Sequence, residues 1–562
     1  MTRDCSPLET AAGKLLLQLK ESGVDYVLAN AGTDFPSLIE AFSLASERHR
    51  MPTPMAIHHE NVAMGMAHGY HLACGKTAAV AVHVNVGLAN CAMGVINAAT
   101  SQVPIVVMSG RTPASETARH GSRVAPIHWG QEMYDQASLV RESVKWEYEL
   151  RYPEQAATAA ARATAIAQSA PGGPVYLSLP REVLAEPASL SLPDPKIAPA
   201  RLGAPDAEQL AAAADMLANA KKPVIVIQRS VPGGNLPELL KLAEDFAIPV
   251  VEFWTTASVM PTTHVMHAGF DPAPVVADAD LVLTLGVSVP WTPFTAAGAD
   301  TKVIALGPDP LDMGTPYNGF RCDLALQADL AAGLTALTEG LAPRTSGMNV
   351  EERRAKQADR REHFLQQADR DVAAGEAGPI NHAYASRLLS EEAGPDAMVF
   401  SELGAIGSAM TLTESGQLYW TPHSGGLGWG VPAALGAKLG KPDATVIATV
   451  GDGSYMFANP TACHQVSVTH DLPILTVVFN NGRWQAVKRA TLGMYPDGLA
   501  ATANEMPLTQ LGPSPDYTMI AAAHGAHAER VEDPLLLRAA IRRALQAVRE
   551  DRRQALLEIC IA

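Results

Sequence analysis

Basic charge, cysteine and long apolar runs are all scarce in this chain of 562 residues. Lys and Arg number 42 against 58 Asp and Glu, a formal net charge of −16. Nucleic acid and anionic membrane surfaces both need clustered cations, so neither is expected as the main partner. The six cysteines, Cys5, Cys74, Cys91, Cys322, Cys463 and Cys560, are scattered, with no CxxC pair and no zinc-like spacing. They read as buried reduced thiols, which suits a reducing cytoplasm. The segment MTRDCSPLETAAGKLL lacks the apolar core of a signal peptide. No run of about 20 apolar residues occurs, so no membrane span is expected.

What is present is the composition of a globular protein too long for one core; two to four domains are expected. Apolar β-rich runs alternate with Ala-rich helical stretches, the pattern of an α/β protein with parallel sheets covered on both faces. Three blocks emerge, at 1–187, 205–340 and 377–562. The first carries VDYVLAN (24–30), AAVAVHV (78–84), VPIVVMSG (103–110) and PVYLSLP (174–180) as strands. The second carries KPVIVIQ, IPVVEFW, ADLVLTLGVSV and TKVIALG, and the third DAMVFSELG, ATVIATVGDGS, DLPILTVVFNN and ALLEICIA. A Pro-rich connector, LPREVLAEPASLSLPDPKIAPARLGAPD, separates the first two. The charged stretch ERRAKQADRREHFLQQADRD reads as an exposed helix before the third.

The most specific signal lies in the third block. Gly451-Asp452-Gly453-Ser454 closes one apolar strand, and Asn480-Asn481 closes another, with 26 residues between Gly453 and Asn480. Singly, each string is a common turn. Together they place a carboxylate and an amide oxygen where two parallel strands end, the edge at which such sheets bind ligands. Hard oxygens from Asp452 and Asn481, with the backbone carbonyl of Arg483, suit Mg²⁺. Gly453 permits close approach of a phosphate, and Ser454 adds a hydroxyl at a helix start.

GDG followed by NN at this separation resembles the thiamine-diphosphate binding motif. The segment from Glu60 through NVAMGMAHGYHLACGK is similar to the E-x-x-A-x-x-x-A-x-G-Y stretch that carries the cofactor-activating Glu of that family. The small residues at 63, 65, 67 and 69 would let this helix pack very closely. Ser424-Gly425-Gly426-Leu427-Gly428-Trp429-Gly430 resembles the turn that holds the cofactor bent. There Gly426 supplies backbone and Leu427 the apolar wedge, 25 residues before Asp452 as in benzoylformate decarboxylase. Ser401 and Glu402 fall where the family places further cofactor contacts, and Trp484 would lie over the thiazolium. The resemblance covers the whole chain. It implies a pyrimidine-binding domain (1–187), a central domain (205–340) and a diphosphate- and Mg²⁺-binding domain (377–562), as in acetolactate synthase, benzoylformate decarboxylase and oxalyl-CoA decarboxylase. It further implies a homodimer at minimum, with a homotetramer expected.

For substrate contacts, the resemblance points to His83 in HVNVGLANCAMGVINAA, with Asn85 and Asn90 as alternatives, to Gln131, and to His264 in MPTTHVMHAGF. One departure stands out. Relatives carry a G-x-P-G-[small or acidic] turn where this chain has Gly32-Thr33-Asp34-Phe35-Pro36-Ser37, so the polar helper of some relatives reads as replaced by Pro36. The expected activity is decarboxylation of a 2-oxo acid or carboligation to an aldehyde, through a C2 ylide and enamine. The alternatives are an acyl-CoA lyase, with Arg229, Arg353, Arg354, Arg360 and Arg361 as contributors to a CoA groove, and a non-catalytic cofactor-binding paralogue. PVIVIQRSVPGGN lacks a dinucleotide fingerprint, and FAD is not expected.

Overall fold

The computed structural model describes residues 6–188 and 195–561. Cys5 and the middle of the Pro-rich connector, 189–194, lie outside the described residues. Three parallel sheets, each flanked by helices, follow one another along the chain, in agreement with the α/β expectation. The first has the order β2-β1-β3-β4-β6-β5. Its strands are β1 (Tyr26–Asn30), β2 (Thr53–Ala56), β3 (Ala78–Val82), β4 (Ile105–Arg111), β5 (Glu147–Glu149) and β6 (Val175–Pro180). The second, in the order β11-β10-β9-β7-β8, uses β7 (Pro223–Ile227), β8 (Val250–Glu252), β9 (Leu281–Leu285), β10 (Lys302–Gly307) and β11 (Leu324–Gln327). The third runs β13-β12-β14-β15-β17-β16. It contains β12 (Ala397–Glu402), β13 (Leu418–Trp420), β14 (Thr445–Gly451), β15 (Leu475–Asn480), β16 (His527–Val531) and β17 (Ala555–Cys560).

Every strand expected from an apolar run is present. Five strands were not foreseen: β2, β5, β11, β13 and β16. All five are edge strands. They are three to five residues long and partly exposed, so they carry no continuous apolar signal. The charged stretch forms the helix Val350–Ala377, mostly exposed as expected.

The first and third domains share one core. It is built on the helices Glu60–Cys74 and Gly430–Gly440, which cross at near contact. A Cβ at Gly69 would collide with the Ala433 carbonyl, and one at Gly436 with the Met66 carbonyl. Helix Glu60–Cys74 starts where His59 Nδ1 accepts the Asn61 N–H, and it ends at Gly75 with φ +73°. The small residues read from the sequence as a close-packing face thus serve this crossing. The crossing brings the starts of both helices together, since Asn61 Nδ2 donates to the Gly428 carbonyl at 3.3 Å.

Candidate active site

Neighbouring strands β12, β14 and β15 end at Glu402, Gly451 and Asn480. Beyond their carboxyl ends lies a cleft of about 510 Å³ lined by Ser401, Asp452, Gly453, Ser454, Asn481, Arg483 and Trp484, among others. Seven of the residues singled out for the cofactor or its metal are therefore brought to one cleft. Asp452 is buried. Its two carboxylate oxygens accept the N–H groups of Gly453 (2.7 Å) and Gly482 (2.8 Å). Burial pushes its carboxyl above the usual range, and the surrounding N–H groups pull it back. Among the described residues no Lys, Arg or His forms an ion pair with it.

Asn480 and Asn481 divide their work. Asn480 turns inward and donates to Glu558, whereas the side chain of Asn481 faces the cleft and its Oδ1 accepts the Arg483 N–H at 2.9 Å. Trp484 packs directly on the Cα of Gly453, where any Cβ would strike its ring. Ser401 Oγ accepts the Ala405 N–H at 3.0 Å and fixes the loop along the cleft wall.

Glu402, expected as a cofactor contact, is engaged with the protein itself in this chain. Its side chain is fully buried and does not itself line the cleft, although its carboxylate reaches the Ser454 hydroxyl, which does. Its carboxylate accepts three backbone N–H groups, those of Gly428 (2.7 Å), Trp429 (2.7 Å) and Gly430 (2.6 Å). Burial pushes the carboxyl up to about 7 against those donors. Glu402 thus anchors the glycine-rich turn and caps the helix behind it. Within the turn, Leu427 is half-buried, and the Gly426 carbonyl accepts a hydrogen bond from Asn97 Nδ2 at 3.0 Å.

A second cluster forms at the carboxyl ends of β1, β3 and β4 in the first domain. Glu60 is buried at the start of its helix and accepts from Asn90 Nδ2 at 3.1 Å. His83 follows β3. Its Nδ1 meets Asp34 Oδ1 at 2.5 Å and its Nε2 meets Gln131 Nε2 at 3.1 Å. The Asp34 hydrogen bond is the largest influence raising the affinity of His83 for its proton; burial opposes it, and the charges of Asp34 and Glu60 add to it. Neither Glu60 nor His83 lines the third-domain cleft of the same chain.

His264 is not brought to either cluster. Its Nε2 faces Glu244 Oε1 at 2.8 Å and its Nδ1 accepts the Met266 N–H at 3.1 Å, so both nitrogens are committed within the central domain. The arginines considered for a CoA groove are similarly engaged. Arg229 donates to Thr100 O and Asp312, Arg353 to Phe246 O and Ala220 O, Arg354 to Glu244 O, Arg360 to Gln357, and Arg361 to Thr263 O.

Three residues at the two clusters escaped the sequence reading. His382 stacks on Phe479, donates Nδ1–H to Gly404 O at 2.7 Å and lines the cleft, and burial lowers its proton affinity. Arg489 lines the same cleft. Asp34 sits two positions before Pro36, inside the turn read as having lost its polar helper. Only for Asp34 was there a signal: an acidic residue within that departing turn.

Family models place these clusters in context. The model for the N-terminal TPP binding domain of thiamine pyrophosphate enzymes matches residues 9–139. That for their central domain matches 210–337, and that for their C-terminal TPP binding domain 404–559. The chain belongs to the thiamine pyrophosphate enzyme family. Benzoylformate decarboxylase of Pseudomonas aeruginosa is 28% identical over 514 residues, covering 87% of this chain and 89% of the relative. Sulfoacetaldehyde acetyltransferase of Rhodobacter capsulatus is 26% identical over 536 residues, covering 88% and 86%. The fold is similar to that of a thiamine diphosphate-dependent 4-hydroxybenzoylformate decarboxylase from Rhodococcus jostii, with a TM-score of 0.77 and 22% identity over 98% of this chain and 99% of that one. Placed on this thiamine pyrophosphate enzyme, the Asp452 cleft belongs to the C-terminal binding domain, and Glu60 and His83 to the N-terminal one.

Proposed function

We propose that the chain is a thiamine-diphosphate- and Mg²⁺-dependent lyase or transferase that cleaves or forms a carbon–carbon bond next to a carbonyl, acting on a 2-oxo acid with proton or aldehyde as acceptor. One observation carries the reading. Asp452 is a buried carboxylate that forms no ion pair among the described residues, in a cleft where Asn481 and the Ser401 and Ser454 hydroxyls also lie. A hard divalent cation bridging to a diphosphate fits that donor set.

Asp452, the Asn481 amide oxygen and the Arg483 carbonyl would hold the metal. Gly453 and Ser454 would receive the diphosphate, with Arg489 offsetting its charge. When bound, thiamine diphosphate supplies a nucleophilic carbon and an electron sink. Glu60 would hold a proton at the pyrimidine, Leu427 would keep the cofactor bent, and Trp484 would exclude water beside it. His83 Nε2, with Gln131 as its neighbour, would move protons on the substrate side. Glu60 and His83 do not line the Asp452 cleft of their own chain, which supports a homodimer in which each completes a partner's site. The engagement of the candidate CoA arginines with backbone carbonyls and neighbouring side chains favours a 2-oxo acid over an acyl-CoA.

The test is a product screen by NMR across 2-oxo acids and aldehydes with both cofactors, run beside Glu60→Gln. Wild type should release CO₂ or form a coupled product. Glu60→Gln should bind the cofactor, read by circular dichroism, yet lose turnover by about 100-fold or more. A wild type that turned over none of these substrates, or a fully active Glu60→Gln, would overturn the reading.

A further inference from the structure

The Asp34–His83–Gln131 line has more order than a surface histidine needs. Asp34 is buried, and its Oδ2 accepts the Val84 N–H at 3.3 Å while Oδ1 meets His83 Nδ1. Val84 takes φ +30°, a strained conformation for a β-branched residue, and that backbone turn aims its N–H at Asp34. The space is made by glycines. A Cβ at Gly110 would collide with the Asp34 carboxylate, and one at Gly32 with the His83 ring. On the other side, Gln131 Nε2 stands 3.1 Å from His83 Nε2; with the amide in this orientation its hydrogens face Nε2, which then accepts, and the ring hydrogen sits on Nδ1. Gln131 Oε1 is buried with no partner among the described residues.

We propose that Asp34 is a positioning residue for proton transfer at His83: its carboxylate keeps the hydrogen on Nδ1, so that Nε2, beside Gln131, is the atom that takes up and returns the proton. The inference rests on the function proposed above. When a carbonyl product is released, Nε2 takes the proton from the hydroxyl oxygen and becomes imidazolium, while Asp34 remains a carboxylate. When a carbonyl substrate is attacked, the same proton returns to its oxygen. Rotation of the Gln131 amide turns its unpartnered Oε1 towards the new Nε2–H, so the residue follows the proton in both states. The charged and titratable groups around His83 are Asp34, Glu60 and His128.

The experiment uses holoenzyme with ¹⁵N-labelled histidine, with His83→Gln to assign the His83 signals. Wild type should show His83 protonated at Nδ1 at neutral pH and titrating at Nε2 above the ordinary value of about 6.5. Asp34→Asn should titrate lower. Its acid limb of kcat should move to lower pH with it, because Nε2 must be unprotonated to accept the hydroxyl proton at product release. The kcat should fall about 100- to 10 000-fold, with KM and cofactor binding unchanged. On the His83→Gln background, Asp34→Asn should add no further loss, a coupling that a purely structural role would not produce. An Nε2–H tautomer in wild type, or an unmoved acid limb in Asp34→Asn, overturns the proposal. Should Asp34→Asn not fold, the wild-type tautomer still decides. If wild type turns over no substrate, the reading of the reaction fails and this proposal with it; turnover with an unmoved limb fails the proposal alone.

Discussion

A carboxylate can hold a ligand or hold the protein that holds the ligand, and Glu402 does the second. Its place after β12 suggested a cofactor contact, but three N–H groups from residues 428–430 take both of its oxygens. Those donors belong to a helix start, where a negative charge is favoured. An amide in its place keeps one acceptor and turns two hydrogens towards N–H groups that also donate. Glu402→Gln should therefore destabilise the fold by about 1.5–3 kcal/mol, the scale of a hydrogen bond to a charged group. It should also weaken cofactor binding, since the turn carrying Leu427 loses its anchor. Thermal melting and a cofactor titration by circular dichroism check both effects; an unchanged affinity would mean that the turn keeps its shape unaided. Asp34 makes the complementary case. The sequence drew attention to Pro36 as a loss, whereas the polar group of that turn is present two residues earlier and points inward at His83.

At the scale of elements, the crossing of Glu60–Cys74 with Gly430–Gly440 is the joint on which both clusters are registered. Gly69→Ala tests it with opposing terms. Helix propensity favours alanine by about 1 kcal/mol, while overpacking costs about 1–3 kcal/mol. The obstacle is the Ala433 carbonyl with its Cα, backbone of a buried helix rather than a flexible side-chain end, so the cost should exceed the gain and the melting temperature should fall. Gly493→Ala, in the exposed helix Gln485–Met494 with open space around it, should raise it slightly. Equal shifts in the two variants would show that the crossing is looser than drawn.

The same crossing explains what was legible in the sequence. Small residues at 63, 65, 67 and 69 are visible as a pattern because close packing demands them in series. Strands buried on both faces are visible as apolar runs. The partly exposed edge strands and the partners of Glu402 or His264 are not, because they depend on which segments fold back against them. The GDG and NN strings were legible for a different reason: a metal needs specific oxygens, whatever surrounds them.

Across the whole molecule, buried titratable groups set the response to acid. His68 and His267 are pushed down to about 3 and His464 to about 4, in each case first by burial. A histidine with a depressed folded value contributes stability that is present above about 6.5 and is lost as pH falls through the folded value, because the unfolded chain binds the proton first. Glu252 and Glu402 act in the other sense. Burial raises them to about 8 and about 7, so the folded state gains relative to the unfolded as pH falls towards the unfolded value near 4.5. Between about 6.5 and 4.5 the two glutamate gains offset only part of the histidine losses, to which His71 and His423 at about 4 add, and below that only the histidine losses continue. Stability should thus fall gradually across the upper window and more steeply below it. His68 isolates the effect. Neither of its ring nitrogens has a hydrogen-bond partner among the described residues, and it lies edge-on to Trp429 inside the core shared by the first and third domains. His68→Leu removes a buried polar group that gains no hydrogen bond, so it should be neutral or stabilising at pH 7. It should also move the acid-unfolding midpoint to lower pH, measured by fluorescence or circular dichroism across a pH series. A midpoint that stayed in place would show that protonation of His68 does not drive the transition, and would shift the argument to His267 and His464.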